Sequence, residues 1–241
     1  MSSAIVKKQP PEIPRKRRGA VPWLENGERL SKAEFLHRYH AAPGLKKAEL
    51  IGGVVYVGSP VSLEDHATPH AHIVTWLGMY SFATPGVKVS DNPTIDFGAG
   101  GVFQPDAVLR LLPEYGGRVR EGERSVSTGA PEFVAEVANS SASLDLVEKF
   151  RVYRDSGVEE YLVWRVVDDA LDWFVLENGE YRRLEPGPDG VLRSRRFPGL
   201  WLDAAALLAE DLPRVSAIAQ EGLRADEYAA LVNALQAAKG E

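Results

Sequence analysis

The sequence predicts an α/β or α+β domain built on a mixed sheet, and three observations carry the prediction. The 241 residues are 44% hydrophobic and 26% charged, enough for a sizeable core and the composition of an ordinary globule. An apolar strand at Phe133–Ala138 is followed by a helical segment at 143–156 and a further apolar strand at 161–166. Hairpin signals, Gly52-Gly53 and Asn178-Gly179, surround that strand–helix–strand unit, so antiparallel pairs are expected beside it.

The elements follow in order. Ser31, with Glu34 three residues on, has the pattern of a capping box that opens a short helix through about His40. LKKAELIGGVVYVG reads as a hairpin turning at Gly52-Gly53. Ile73, Trp76, Leu77 and Tyr80 fall at the i, i+3, i+4, i+7 spacing of a buried helical stripe, with Pro69 before that helix or in its first turn. From Val87 to Leu112 a run of strands is expected: VKVS, TIDF and VFQPDAVLRLL, the last two separated by Gly98-Ala99-Gly100-Gly101. A Gly- and Arg-rich loop near 116–122 precedes the strand Phe133–Ala138. SSASLDLVEKFRVYRDSG is expected as one helix, capped by Ser143 and stopped by Gly157. Strands at 161–166, 171–176 and 181–184 form a meander, and FPGLWLDAAALLAEDL with the Ala-rich end reads as helices packed on the outside. There is no internal repeat.

Charge is unevenly spread. Against a formal total of −6, residues 1–18 carry a net +5, leaving −11 on the remainder. So acidic a body does not look like a general duplex-DNA binder, which shows a basic surface. The head reads either as a solvated flexible tail or as an arm that lies along a polyanion; its sequence fits both. The organisation expected is a basic tail at 1–20, a main domain at 21–210 and a helical extension at 211–241. No apolar run approaches 18 residues and the first residues lack a signal-peptide core, so no membrane span is expected. With no cysteine there is no disulfide, thiolate metal site or cysteine nucleophile, and a cytoplasmic location is the simplest expectation.

Three ionisable residues are hard to place on structural grounds alone, and Glu49 is a candidate fourth. Glu136 lies in a strand whose two alternating sets, Phe133, Ala135, Val137 and Val134, Ala138, are both apolar. A lone carboxylate there is costly unless paired or metal-bound; a buried salt bridge or a water-reaching strand edge is the alternative. Asp106 follows Pro105 within an apolar stretch, although Pro-Asp is also turn chemistry. Lys149 lies beside the apolar stripe Leu146, Phe150, Tyr153, either snorkelling or aimed at carboxylates on the neighbouring strand. Glu49, between Ala48 and Leu50, is either a solvated strand position or a fourth member. Two strand carboxylates and one lysine are the parts of a metal-dependent phosphodiester hydrolase, and hard oxygen ligands suit Mg²⁺ or Mn²⁺.

At these residues a resemblance enters. The blocks LKKAELIGGVVYVGSPVSLEDH, FQPDAVLRL and GAPEFVAEVANSSASLDLVEKFRVYRDSGVEEYLVWRV, in that order, resemble the Uma-type family of the PD-(D/E)XK nuclease superfamily over about residues 30 to 210. The resemblance implies a restriction-endonuclease-like α/β domain, a central mixed sheet flanked by helices, acting as an Mg²⁺-dependent endonuclease on DNA. It makes Asp106 of Pro105-Asp106 and Glu136 metal ligands, with the Val137 backbone carbonyl at the X position. Ala138 stands where the superfamily has its lysine; similar proteins carry that lysine on the following helix, which matches Lys149. Glu49 matches the family's early acidic residue.

The rival readings are few. His66, His70 and His72 fall together, and His66 with His70 could share a helical face as in a zinc site, but Pro69 disturbs that helix and no HExxH is present. His66 could also line the cleft of Glu49. Neither a G-x-S-x-G elbow nor a G-x-x-x-x-G-K-[ST] phosphate loop exists; the serines of Asn139-Ser140-Ser141 read as a strand-to-helix turn. The serious alternative is a nuclease fold used as an inert binding or assembly module, in which Lys149 neutralises both Asp106 and Glu136. A homodimer would let two single-strand cutters act on both strands. The five tryptophans, Trp23, Trp76 and Trp201 among them, read as core or interface.

Overall fold

The computed structural model describes residues 21–58, 62–138 and 144–238. The expected basic tail at 1–20, the turn at 139–141, the Ser143 cap and the Leu146 side chain lie outside the described residues.

The chain opens with α1 (Lys32–His40) and the hairpin β1 (Ala48–Ile51) and β2 (Val54–Val57). A π-helical turn at Leu63–Ala67 leads into α2 (Thr68–Ala83). Then come β3 (Val87–Asp91), β4 (Ile95–Asp96), β5 (Gly101–Phe103), β6 (Ala107–Leu111), β7 (Ser127–Thr128) and β8 (Phe133–Ala138). A π-helical stretch at Leu144–Lys149 continues into α3 (Phe150–Ser156). The remainder is β9 (Glu160–Arg165), β10 (Ala170–Glu177), β11 (Glu180–Arg183), β12 (Val191–Arg193), β13 (Trp201–Asp203), α4 (Ala204–Leu208), α5 (Leu212–Gly222) and α6 (Asp226–Ala238).

Six strands form the main sheet in the order β11-β10-β9-β8-β6-β3. β8 and β9 are parallel, as the crossover through α3 requires, and the other neighbours are antiparallel. This is the mixed sheet the sequence predicts. A smaller sheet, β2-β1-β5-β4-β7, and the β12–β13 ribbon complete the strands.

β8 is buried along its whole length, and its alternating side chains feed two cores. Phe133, Ala135 and Val137 join Trp76 and Leu77 of α2 and Trp173 of β10 on one face. Val134 and Ala138 join Phe103, Tyr153 and Tyr161 on the other. Trp76 meets Phe133 and Trp173 edge-on with ring centroids 6.2 and 5.6 Å apart, and burying such a ring contributes about 3 kcal/mol. Alternation puts Glu136 on the face of Val134 and Ala138, toward α3.

Local signals account for most element ends. Ser31 Oγ accepts from Glu34 N at 3.2 Å, but the Glu34 carboxylate turns to Arg38, so only half of the capping box forms. Gly52 and Gly53 at the first hairpin, and Asn178 and Gly179 at the β10–β11 turn, all have positive φ, as a two-residue turn of this kind requires. Pro69 sits in the first turn of α2.

Three expectations are corrected. VFQPDAVLRLL is not one strand: β5 ends at Phe103, β6 begins at Ala107, and they belong to different sheets. Pro105 has no N–H for a ladder, and the chain crosses between sheets there. The helix expected over 143–156 is π-helical through Lys149 and α-helical only from Phe150, though Gly157 (φ 80) stops it as expected. FPGLWLDAAALLAEDL is not helical throughout. Leu202 is buried in β13, paired with Leu192, and the helix begins only after Asp203 caps Ala206 N. α5 and α6 add Val215, Ala219 and Leu235 to the core on the α2 side. Among the described residues no helix is long and apolar enough to cross a membrane.

Candidate active site

The fork between the two sheets builds the site. The β6–β8 ladder runs out at the Ala107–Ala135 pair. One residue further, Asp106 Oδ2 accepts from Val137 N at 2.9 Å, so a side-chain carboxylate takes the place of a ladder carbonyl. The Asp106 backbone carbonyl faces Asn92 N at 3.1 Å and His70 Nε2 at 2.9 Å. Its Oδ1 accepts from Lys47 Nζ at 2.8 Å. Held at all these points and 3% exposed, Asp106 has one orientation.

Glu136, one residue past the last β6 partner, is 2% exposed. Its Oε1 accepts from Lys149 Nζ at 3.0 Å and from the Tyr153 hydroxyl at 2.7 Å. Lys149 and Tyr153 are four residues apart and so share one helical face. Lys149 Nζ also lies 3.4 Å from Glu49 Oε1, which accepts from Gln104 N at 2.8 Å. Lys47 and Glu49 are two residues apart at the start of β1, so the strand period delivers both to the same face.

Asp106, Glu136, Lys149 and Glu49, singled out from sequence, therefore meet in one buried cluster. Lys149 bridges Glu136 and Glu49 and acts on Asp106 through its charge, while Lys47 contacts Asp106 directly. Sequence alone does not mark Lys47, because a Lys46-Lys47 pair ahead of a strand reads as solvated; its two-residue spacing from Glu49 gains meaning only once β1 is placed beside Asp106. Tyr153 was read only as part of an apolar stripe. His66 stacks on His70, rings 5.8 Å apart, with Nε2 3.8 Å from Asp106 Oδ1. His72 is elsewhere, its ring against Trp164.

Among the described residues three carboxylates, Asp106, Glu136 and Glu49, face two ammonium groups, Lys47 and Lys149, which leaves these five one positive charge short. Burial pushes the His66 imidazole down, more than Asp106 pulls it up, so it adds no cation near neutrality. Burial lowers the Lys47 ammonium, but Asp106, Glu136 and Glu49 together carry it above its usual value. Burial would raise the Asp106 carboxyl; Lys47, Lys149 and the Val137 N–H outweigh it and hold it below its ordinary 3.8. A depressed acid contributes stability above its unfolded pKa and loses it as pH falls through the folded value. Acid should therefore erode the wild type below about pH 4 more steeply than Asp106→Asn. Urea midpoints between pH 5 and pH 2 measure this, and parallel curves would refute it.

The donor set fits a small hard cation. Asp106 and Glu136 supply carboxylate oxygens, and the Val137 backbone is held against Asp106 by its N–H. Among the described residues no three His, Asp or Glu side chains converge as a metal cage. One or two carboxylates, with water and phosphate filling the remaining positions, is the number Mg²⁺ takes from proteins. A separate cleft lined by Asp96, Gly98, Gly100, Thr128 and Val152 contains none of these residues.

A mixed sheet flanked by helices is the fold of the restriction-endonuclease-like class. The chain belongs to the Uma2 family: its model, described as "Putative restriction endonuclease", matches residues 33–205 and stops within α4. The crystal structure of "a putative nuclease belonging to DUF820" from Anabaena variabilis aligns with a TM-score of 0.52 and 14% identity, covering 74% of this chain and 99% of that one. That likeness is one of fold. No curated protein matches.

Proposed function

We propose that this chain is a metal-dependent endonuclease that hydrolyses DNA phosphodiester bonds. The observation that carries the reading is the meeting of Asp106, Glu136 and Lys149 in one buried, charge-deficient cluster. Asp106, Glu136 and the Val137 carbonyl hold Mg²⁺ or Mn²⁺. When bound, the ion neutralises phosphate charge and lowers the pKa of a coordinated water. Lys149 Nζ orients the attacking water and stabilises charge developing on the phosphate oxygens. Glu49 and the Tyr153 hydroxyl keep Lys149 and Glu136 in register. Water attacks phosphorus and releases a proton to solvent, the bond to the leaving oxygen breaks, and that oxygen takes up a proton from solvent.

The test is Mn²⁺ and Mg²⁺ titration calorimetry on the wild type and on Glu136→Ala, followed by DNA cleavage with the same proteins. Metal binding and cleavage are both expected in the wild type and absent in Glu136→Ala. Wild-type protein that binds no metal at millimolar concentration would sink the catalytic reading in favour of an inert module whose lysines neutralise its carboxylates permanently.

A further inference from the structure

The two lysines of the cluster differ in how firmly they are held. Lys149 is 4% exposed and bridges two carboxylates. Lys47 precedes β1, and its side chain is 32% exposed. Its ammonium contacts two oxygens, Asp106 Oδ1 at 2.8 Å and Asn92 Oδ1 at 3.3 Å. The other Asp106 oxygen is fixed by the Val137 backbone. Oδ1 is thus the oxygen a cation can reach by displacing a partly exposed side chain instead of a strand.

We propose that Lys47 is a displaceable counter-ion, occupying Asp106 Oδ1 while the site is metal-free and competing with the divalent cation for it. The inference rests on the metal reading of Asp106. A carboxylate this buried cannot be left bare, and a lysine is suited to the exchange: its ammonium is a compact charge on a flexible stem, where an arginine fork would grip. Asn92 Oδ1, beside the same ammonium, gives the displaced lysine a partner at the rim. A divalent cation brings two charges where Lys47 brings one, so Asp106 stays compensated throughout and the charge deficit of the cluster closes.

The experiment is Mn²⁺ calorimetry on the full chain, as wild type, Lys47→Met and Lys47→Arg, with melting temperatures taken with and without Mn²⁺. Lys47→Met is expected to bind Mn²⁺ about tenfold tighter and to melt lower than the wild type only in the absence of metal. Lys47→Arg should melt like the wild type and bind Mn²⁺ about tenfold more weakly. A merely structural lysine gives Lys47→Met lower stability with equal or weaker metal affinity. That result, with wild-type binding intact, overturns the inference and spares the nuclease reading. If Lys47→Met does not fold, Lys47→Arg decides alone, and affinity equal to or above the wild type overturns the inference. Absence of Mn²⁺ binding in all three proteins overturns both.

Discussion

Lys149→Met should lower DNA cleavage by roughly 10²–10⁴-fold and stability by about 3–5 kcal/mol. The Lys149 ammonium touches Glu136 at 3.0 Å and Glu49 at 3.4 Å, two carboxylates that are 2% and 7% exposed. Methionine fills the aliphatic volume but leaves both acids without that ammonium. The two effects separate in the double variant Lys149→Met/Glu136→Gln, which removes the uncompensated charge: much of the stability should return, and the cleavage should not. Urea denaturation and cleavage measured on the same preparations decide it. Full cleavage by Lys149→Met would remove Lys149 from the reaction.

Glu160→Ala should cost about 3–5 kcal/mol, which for a chain of this size lowers the melting temperature by roughly 10 °C. Glu160 opens β9, is fully buried, and accepts from the Ser194 hydroxyl at 2.8 Å, Trp173 Nε1 at 3.2 Å and the backbone N–H groups of Arg195 and Arg196 at 2.7 and 2.9 Å. Burial raises its carboxyl above the ordinary range even though those donors oppose the shift. The donors are what truncation orphans. Glu160→Gln, which keeps one acceptor oxygen, should cost only about 1–3 kcal/mol. Mn²⁺ affinity should be unchanged in both variants, since none of these groups touches the carboxylate cluster. A loss under about 1 kcal/mol in Glu160→Ala would show that the 194–197 segment does not depend on this tie.

Much of this architecture can be read in the residues because β8 has no polar face. With both alternating sets apolar, Glu136 stands out at once, and its burial and lysine partner follow from simple electrostatics. Asp106 stands out through Pro105, although the proline means more than a weakened strand: it is where the chain changes sheets. What could not be read is what local pattern does not encode. A π-helical stretch of six residues is too short to print a periodicity of its own, so Leu144–Lys149 looks like the rest of its helix. Leu200 and Leu202 have strand alternation, but the alanine run behind them outweighs it in sequence. Lys47 carries no apolar context and becomes visible only when β1 is placed beside Asp106. The Tyr153 hydroxyl is hidden for the opposite reason: its ring belongs to the core, and only its oxygen belongs to the site.

The centre is joined from contacts far apart along the chain: Lys47 to Asp106 spans 59 positions, Glu49 to Gln104 spans 55, and Asp106 to Val137 spans 31. The Lys47–Asp106 contact, which joins the smaller sheet to the main one, cannot form before the two have docked, and contacts of such separation come late in folding. A nascent or half-folded chain therefore lacks the arrangement altogether, however much of its helix and hairpin has formed. The β1–β2 hairpin, at the margin of the smaller sheet, also takes Lys47 and Glu49 with it whenever it opens. Competence at this site is thus an all-or-none property of the closed molecule, timed by the last docking event and revoked by the first local unfolding.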